Sequence, residues 1–195
     1  MLRRNRRYLR LRRFWGIRMK RTLAFAAAFC LAINAASAAL SIGAAAPDFQ
    51  IDGALAGKDF RFSLADALRK GPVVLYFYPK SFTSVCTEEA HLFAEASDDF
   101  AALGASVIGV SGDDIETQRK FSASECRDKF AVGADADRSV MKAYDVGGRS
   151  PYAARVSYVI APGARILSVV SSGEARPHID GALQAIRAWK AQQKS

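Results

Sequence analysis

Cys86 stands where an apolar run gives way to a polar turn, three residues after Thr83 and seven after Pro79. A thiol placed there can become a nucleophile. Val73-Val74-Leu75-Tyr76-Phe77-Tyr78 reads as a buried strand by its β-branched and aromatic content, and Pro79 removes the donor that would continue the ladder. Beyond Cys86, Phe93, Ala96, Phe100 and Leu103 recur at helical spacing, which predicts a helix over 87–103 with Cys86 in its first turn. Unpaired N–H groups and the macrodipole favour an anion at that end, and the thiolate is the reactive form of cysteine. The bland alternative is a free cysteine acting as a small buried hydrophobe. Lys80, Ser81, Thr83, Ser84, Thr87, Glu88 and Glu89 make the turn polar instead, predicting a partly exposed reactive sulfur.

The stretch Tyr76-Phe-Tyr-Pro-Lys-Ser-Phe-Thr-Ser-Val-Cys-Thr-Glu-Glu-Ala90 resembles the active-site segment of peroxiredoxins of the AhpC/TSA superfamily, most closely the bacterioferritin-comigratory, or Q-type, branch. The signature P-x-x-x-T-x-x-C is matched by Pro79, Thr83 and Cys86. Val107-Ile-Gly-Val-Ser111, Ala134-Asp135, Lys142-Ala-Tyr144 and Arg155-Val-Ser-Tyr-Val-Ile160 follow in the family's order. The resemblance implies a thioredoxin-like fold and thiol-dependent reduction of hydrogen peroxide or organic hydroperoxides through a sulfenic acid. It implies no metal, haem or flavin, a thioredoxin-like or small-thiol electron donor, and it admits a homodimer. Two departures stand out: His91 occupies a position where many Q-type relatives carry a resolving cysteine, and Ser84-Val85 replaces a common Pro-Gly.

Attack of a thiolate on an O–O bond needs donors for both oxygens and stabilisation of the departing alkoxide or hydroxide. Thr83 offers a hydroxyl to donate to sulfur or peroxide, and the Cys86 N–H points from the helix start. In the resembled family an arginine at the position of Arg155, here opening a strand, lies against the sulfur. Glu89 occupies the place of a carboxylate that holds this arginine. Taken alone, Arg155 would be a solvated strand-end residue and Glu88-Glu89 a first-turn compensation of the helix dipole. Cys126, expected at the end of a helix over 115–126, is the proposed resolving thiol, since some atypical relatives carry one in the corresponding helix about a turn earlier. The alternatives for the pair Cys86 and Cys126 are a structural disulfide, ordinary in an oxidising compartment, and an inert Cys126 in a one-cysteine mechanism.

The front of the chain is different in kind. The first ten charges, Arg3 to Arg21, are all positive, and the first acidic residue is Asp48. After position 21, 18 basic and 19 acidic residues leave a net charge of −1, so the formal +9 belongs to the leader and is no evidence of nucleic-acid binding. Residues 23–33 form an eleven-residue apolar run between Met19-Lys-Arg21 and Ala36-Ser-Ala38. This reads as a secretory signal with an A-x-A cleavage site, with Met19 a candidate translation start. Hence residues 1–38 are expected as basic leader and signal peptide, 39–195 as the domain, and the mature protein as periplasmic or secreted. The other readings are a twin-arginine signal at Arg12-Arg13-Phe14-Trp15, a lipoprotein at Cys30, and an inner-membrane anchor, which Asn34 and Ser37 would interrupt.

The remaining pattern predicts an α/β chain with a mixed central sheet and helices on both faces. Ala46 to Phe49 is extended, 53–57 a turn, 64–68 a short helix, 107–111 a strand, and Asp113 or Asp114 caps the helix that follows. A short helix over 140–144, a hairpin of 155–160 with 165–171, and a closing helix over 179–190 complete it. Residues 145–151, with Gly147 and Gly148, read as a mobile loop bordering the active site. His91 and His178 have no metal-ligand spacing with the cysteines, and no C-x-x-C pair supports a dithiol oxidoreductase or structural zinc. A cysteine hydrolase needs a histidine near Cys86, and His91 is turned away on the same helix. The competing function class is a thioredoxin-fold redox sensor or binding protein with slow turnover.

Overall fold

In a computed structural model, which describes residues 39–148 and 150–193, Val73–Phe77 forms a strand buried along its whole length. Its continuous apolar run suits an interior strand covered on both faces. Alternation along it builds two cores: Val73, Leu75 and Phe77 face one cluster, and Val74, Tyr76 and Tyr78 the other. In chain order the strands are β1 (Gln50–Leu55), β2 (Lys58–Ser63), β3 (Val73–Phe77), β4 (Ser106–Ser111), β5 (Ala131–Ala134), β6 (Val156–Ala161) and β7 (Arg165–Ser171). The helices are α1 (Leu64–Leu68), α2 (Ser84–Glu95), α3 (Ser97–Ala102), α4 (Ile115–Ser124), α5 (Ser139–Ala143) and α6 (Arg176–Gln192).

The strands form one sheet in the order β2-β1-β5-β4-β3-β6-β7. Pairs β3/β4 and β4/β5 are parallel and the others antiparallel, a mixed thioredoxin-like sheet. Leu64, Leu68, Val140, Met141 and Tyr144 place α1 and α5 on one face. Cys86, Phe93, Phe100, Phe121, Ile179 and Ile186 place α2, α3, α4 and α6 on the other. Gly109 of β4 lies opposite Tyr76 in register, and a Cβ there would come within 2.5 Å of the Tyr76 ring, so glycine is what lets that ring lie across the sheet.

Several expected boundaries shift. β1 runs through Gly53 as far as Leu55, leaving only Ala56 and Gly57, both at positive φ, to make the turn. The helix expected over 87–103 is two, parting at Ala96, where Ser97, Asp98 and Asp99 begin a fresh N-terminus in keeping with their preference for first turns. Arg155 precedes β6 instead of opening it. α4 ends at Ser124, so Cys126 lies beyond the helix. β5 was not foreseen, because Ala-Val-Gly-Ala has little strand propensity and is held by its neighbours β4 and β1. The predicted leader, residues 1–38, lies outside the described residues. Among the described residues no helix is long and apolar enough to cross a membrane.

Candidate functional site

After β3 the chain turns through Pro79–Thr83 into α2, and the turn is fastened from below. The Ser81 N–H donates to Asp113 Oδ2 at 2.7 Å, and the Ser111 hydroxyl donates to the same oxygen at 2.8 Å. The Tyr78 hydroxyl donates to Gln118 Oε1 at 2.8 Å, while Gln118 Nε2 donates to Ser111 Oγ at 2.7 Å and to the Gly133 carbonyl at 3.1 Å. Gln118 is fully buried, and this network ties the turn to β4, α4 and β5. Sequence reasoning passed over Gln118; its place three residues before Phe121 on the inward face of α4 was the available signal. Phe82, half exposed, sits at φ 63° and packs edge-on against Phe121 at 5.1 Å between ring centroids. A non-glycine residue in that region carries strain of about 1–3 kcal/mol, which the network and the ring contact offset.

Thr83 is the N-cap of α2, and the first helical bond runs from the Thr87 N–H to the Thr83 carbonyl at 2.9 Å. The N–H groups of Ser84, Val85 and Cys86 therefore precede the helical ladder and give this end its partial positive charge. Cys86 stands in this first turn. The expectation of partial exposure is corrected: Cys86 is 1% exposed, because α2 turns it inward among Tyr76, Tyr78 and Phe93. The Thr83 hydroxyl donates to the Lys80 carbonyl at 3.0 Å, which leaves the oxygen free to accept from a peroxide O–H.

Arg155 Nη2 donates to the Cys86 sulfur at 3.2 Å, and Arg155 Nη1 is hydrogen-bonded to Glu89 Oε2. The guanidinium, with its side chain 9% exposed, thus bridges sulfur and carboxylate. Glu89 falls in the second turn of α2 and is fully buried, so it does not act as first-turn dipole compensation. Burial pushes the Glu89 carboxyl up to about 7, against the charge and hydrogen bond of Arg155. Burial also opposes the Arg155 charge, but Glu89 and Cys86 outweigh it and hold the guanidinium above its ordinary value. Cys86, Glu89 and Arg155 are thus brought together by α2 and the approach to β6, while Pro79 and Thr83 lie in the turn that leads from β3 into α2.

Cys126 is buried in the same core cluster as Cys86, and both cysteines are free. Burial drives the Cys126 thiol well above its ordinary range. The segment around it is strapped to the outer side of α2 and α3. His91 Nε2 lies 2.8 Å from Glu125 Oε2, Arg127 Nη1 3.4 Å from Glu95 Oε1, and Lys129 Nζ 3.9 Å from Asp98 Oδ1. Arg127 and Asp128 both adopt positive φ, at 51° and 60°. His91 is thereby occupied away from the sulfur. Among the described residues no group of three or more His, Cys, Asp or Glu could hold a metal ion.

Residues 42–169 match the AhpC/TSA family. The crystal structure of peroxidoxin BcpB from Mycobacterium tuberculosis superposes with a TM-score of 0.70 at 31% identity, covering 76% of this chain and 97% of that one. Peroxiredoxin Q of Xanthomonas campestris gives a TM-score of 0.63 at 26% identity, over 71% of this chain and 90% of that one. A chloroplastic peroxiredoxin Q of Sedum lineare is 32% identical over 125 residues, which span 61% of this chain and 65% of that protein.

Proposed function

This chain belongs to the AhpC/TSA family and is a peroxiredoxin, a thiol peroxidase with a peroxide as substrate and a thiol as reductant, and on that premise we propose that Cys86 is its nucleophile. The observation that carries the assignment is the 3.2 Å approach of Arg155 Nη2 to a sulfur seated in the first turn of α2. The thiolate attacks one peroxide oxygen, forming an S–O bond as the O–O bond breaks. The sulfur is oxidised to sulfenic acid, and the departing alkoxide or hydroxide takes up a proton to leave as alcohol or water. Arg155 and the free N–H groups at the start of α2 supply positive potential where that charge develops. Thr83 Oγ1 accepts from the bound peroxide, Pro79 sets the end of β3, and Glu89 orients the guanidinium.

Reduction then requires a second thiol. We assign resolution to Cys126, with a thioredoxin-like or small-thiol donor closing the cycle. The shared core of the two sulfurs supports this, and the strain at Arg127 and Asp128 favours opening of the segment. Export to the periplasm or outside the cell is proposed from the basic and apolar pattern of residues 1–38, and a homodimer is compatible with the family. Cys86→Ser is the direct test of the nucleophile: the variant should fold and consume no peroxide, and retained turnover would refute the assignment.

A further inference from the structure

His178 is a residue for which peroxide chemistry as described has no use, yet it sits at 0% exposure behind the catalytic arginine. Its Nε2 lies 3.2 Å from the Ser172 carbonyl, a group that only accepts, so Nε2 carries a hydrogen in every charge state. Nδ1 is then the nitrogen that changes. It lies 2.7 Å from Ser157 Oγ, accepting from that hydroxyl when neutral and donating to it when protonated. The same Nδ1 is 3.8 Å from Glu89 Oε1, and that oxygen is buried with no hydrogen-bond partner while its twin binds Arg155. A buried carboxylate oxygen left without a partner is costly, and either a proton on Glu89 or a charge on His178 relieves it.

The charges around this pair decide what a proton there would do. Facing it are Arg155 from the segment before β6, Cys86 from the first turn of α2, and the Tyr76 hydroxyl from β3, which is also buried without a partner. Arg155 is the one of these that carries positive charge, and thiolate and carboxylate both draw on it. We propose that His178 is a positioning residue for the peroxidatic site, keeping one proton on the Glu89–His178 pair so that Arg155 directs its charge to the Cys86 thiolate. Burial raises the Glu89 carboxyl and lowers the His178 imidazole, the latter against the Ser172 bond, so the two proton affinities shift toward each other from their ordinary values. Without the imidazole, the state with the proton on nitrogen is lost, so the pair gives up its last proton at lower pH and the guanidinium is then shared with an uncompensated carboxylate.

This inference rests on Cys86 being the nucleophile, and the test separates the two. His178→Gln keeps a donor for the Ser172 carbonyl and removes Nδ1. Its second-order rate with hydrogen peroxide should fall about twofold near neutral pH, the loss expected when one of two comparable sites for a proton is removed, and converge on wild type in more acidic buffer. The thiolate and the proton on the pair favour each other, so Cys86→Ser should weaken the proton affinity of the pair, read as a fall in the titration midpoint of the His178 ring nitrogens by NMR. That second measurement leaves His178 in place, so it decides the matter if the glutamine variant does not fold; His91, the other histidine, is identified by His91→Gln. A rate profile of His178→Gln that coincides with wild type, or a His178 titration indifferent to Cys86→Ser, would overturn the inference. If Cys86→Ser still consumes peroxide, it is the nucleophile reading that fails.

Discussion

Glu89→Gln offers a measurement in which the buried charge can be isolated from everything else in the site. The substitution keeps shape and an acceptor for Arg155 while abolishing ionisation. In the folded protein the Glu89 carboxyl is raised from 4.5 to about 7, chiefly by burial. The native state therefore binds this proton more tightly than the unfolded chain. Its contribution is favourable below the unfolded value and is lost as pH rises from about 4.5 through about 7. At about 1.4 kcal/mol per pH unit, that interval corresponds to about 3 kcal/mol. Arg155 stays charged throughout, so whatever the lost carboxylate costs the guanidinium is nearly constant and cancels in the comparison across pH. Urea unfolding of reduced wild-type and Glu89→Gln protein should give a stability difference that moves by about 3 kcal/mol in favour of the variant between pH 4 and pH 8, or about 6–12 °C in melting temperature for a domain of this size. Parallel stability curves would show that burial does not raise the Glu89 carboxyl above its unfolded value, and the account of a proton kept on the Glu89–His178 pair would fall with it.

Arg155→Ala should slow peroxide reduction by on the order of 100- to 1000-fold in stopped-flow measurements, the cost of losing one transition-state donor. Thr83→Val should slow it less, because the Thr83 hydrogen is already given to the Lys80 carbonyl and only an acceptor is lost; an equal or larger loss would restore Thr83 as a donor to peroxide. One equivalent of peroxide added to reduced protein should yield a Cys86–Cys126 peptide in a map run without reductant. A lasting sulfenic or sulfinic acid on Cys86 with Cys126 free would refute resolution by Cys126. Loosening the strap by Glu125→Gln, which weakens the 2.8 Å contact to His91, should speed formation of that disulfide in quenched time courses, and a slower rate would show that the strap guides the two sulfurs together. Protein recovered from the periplasm of a Gram-negative host should begin near Ala39 by N-terminal sequencing, and retention of Arg3 to Arg21 would show that this segment is not a signal.

What could be read from the chain divides by the distance over which each cause acts. The β3–Pro79–α2 turn was legible because a fully apolar strand, a proline and a polar helix start are adjacent, and adjacency is what propensity and periodicity encode. Glu89 and Arg155 are 66 residues apart, and only the resemblance to a family brought them together, while their residue types alone suggested solvated surface charges. His178 carried no signal of its own, since a lone histidine at a helix start acquires meaning from Ser157, Ser172 and Glu89, supplied by β6, the chain after β7 and α2. The correction at the sulfur has the same origin. A polar turn suggested an exposed sulfur, yet side-chain direction on α2 is set by which face meets the sheet, and Cys86 shares that face with Ala90 and Phe93. Local polarity thus marks where the turn is, and packing decides what the sulfur sees: a guanidinium on one side, an aromatic core on the other. For a thiol that must ionise, that combination makes the single charge on Arg155 the governing quantity, because the low-dielectric core strengthens every interaction with it and offers the thiolate no water in exchange.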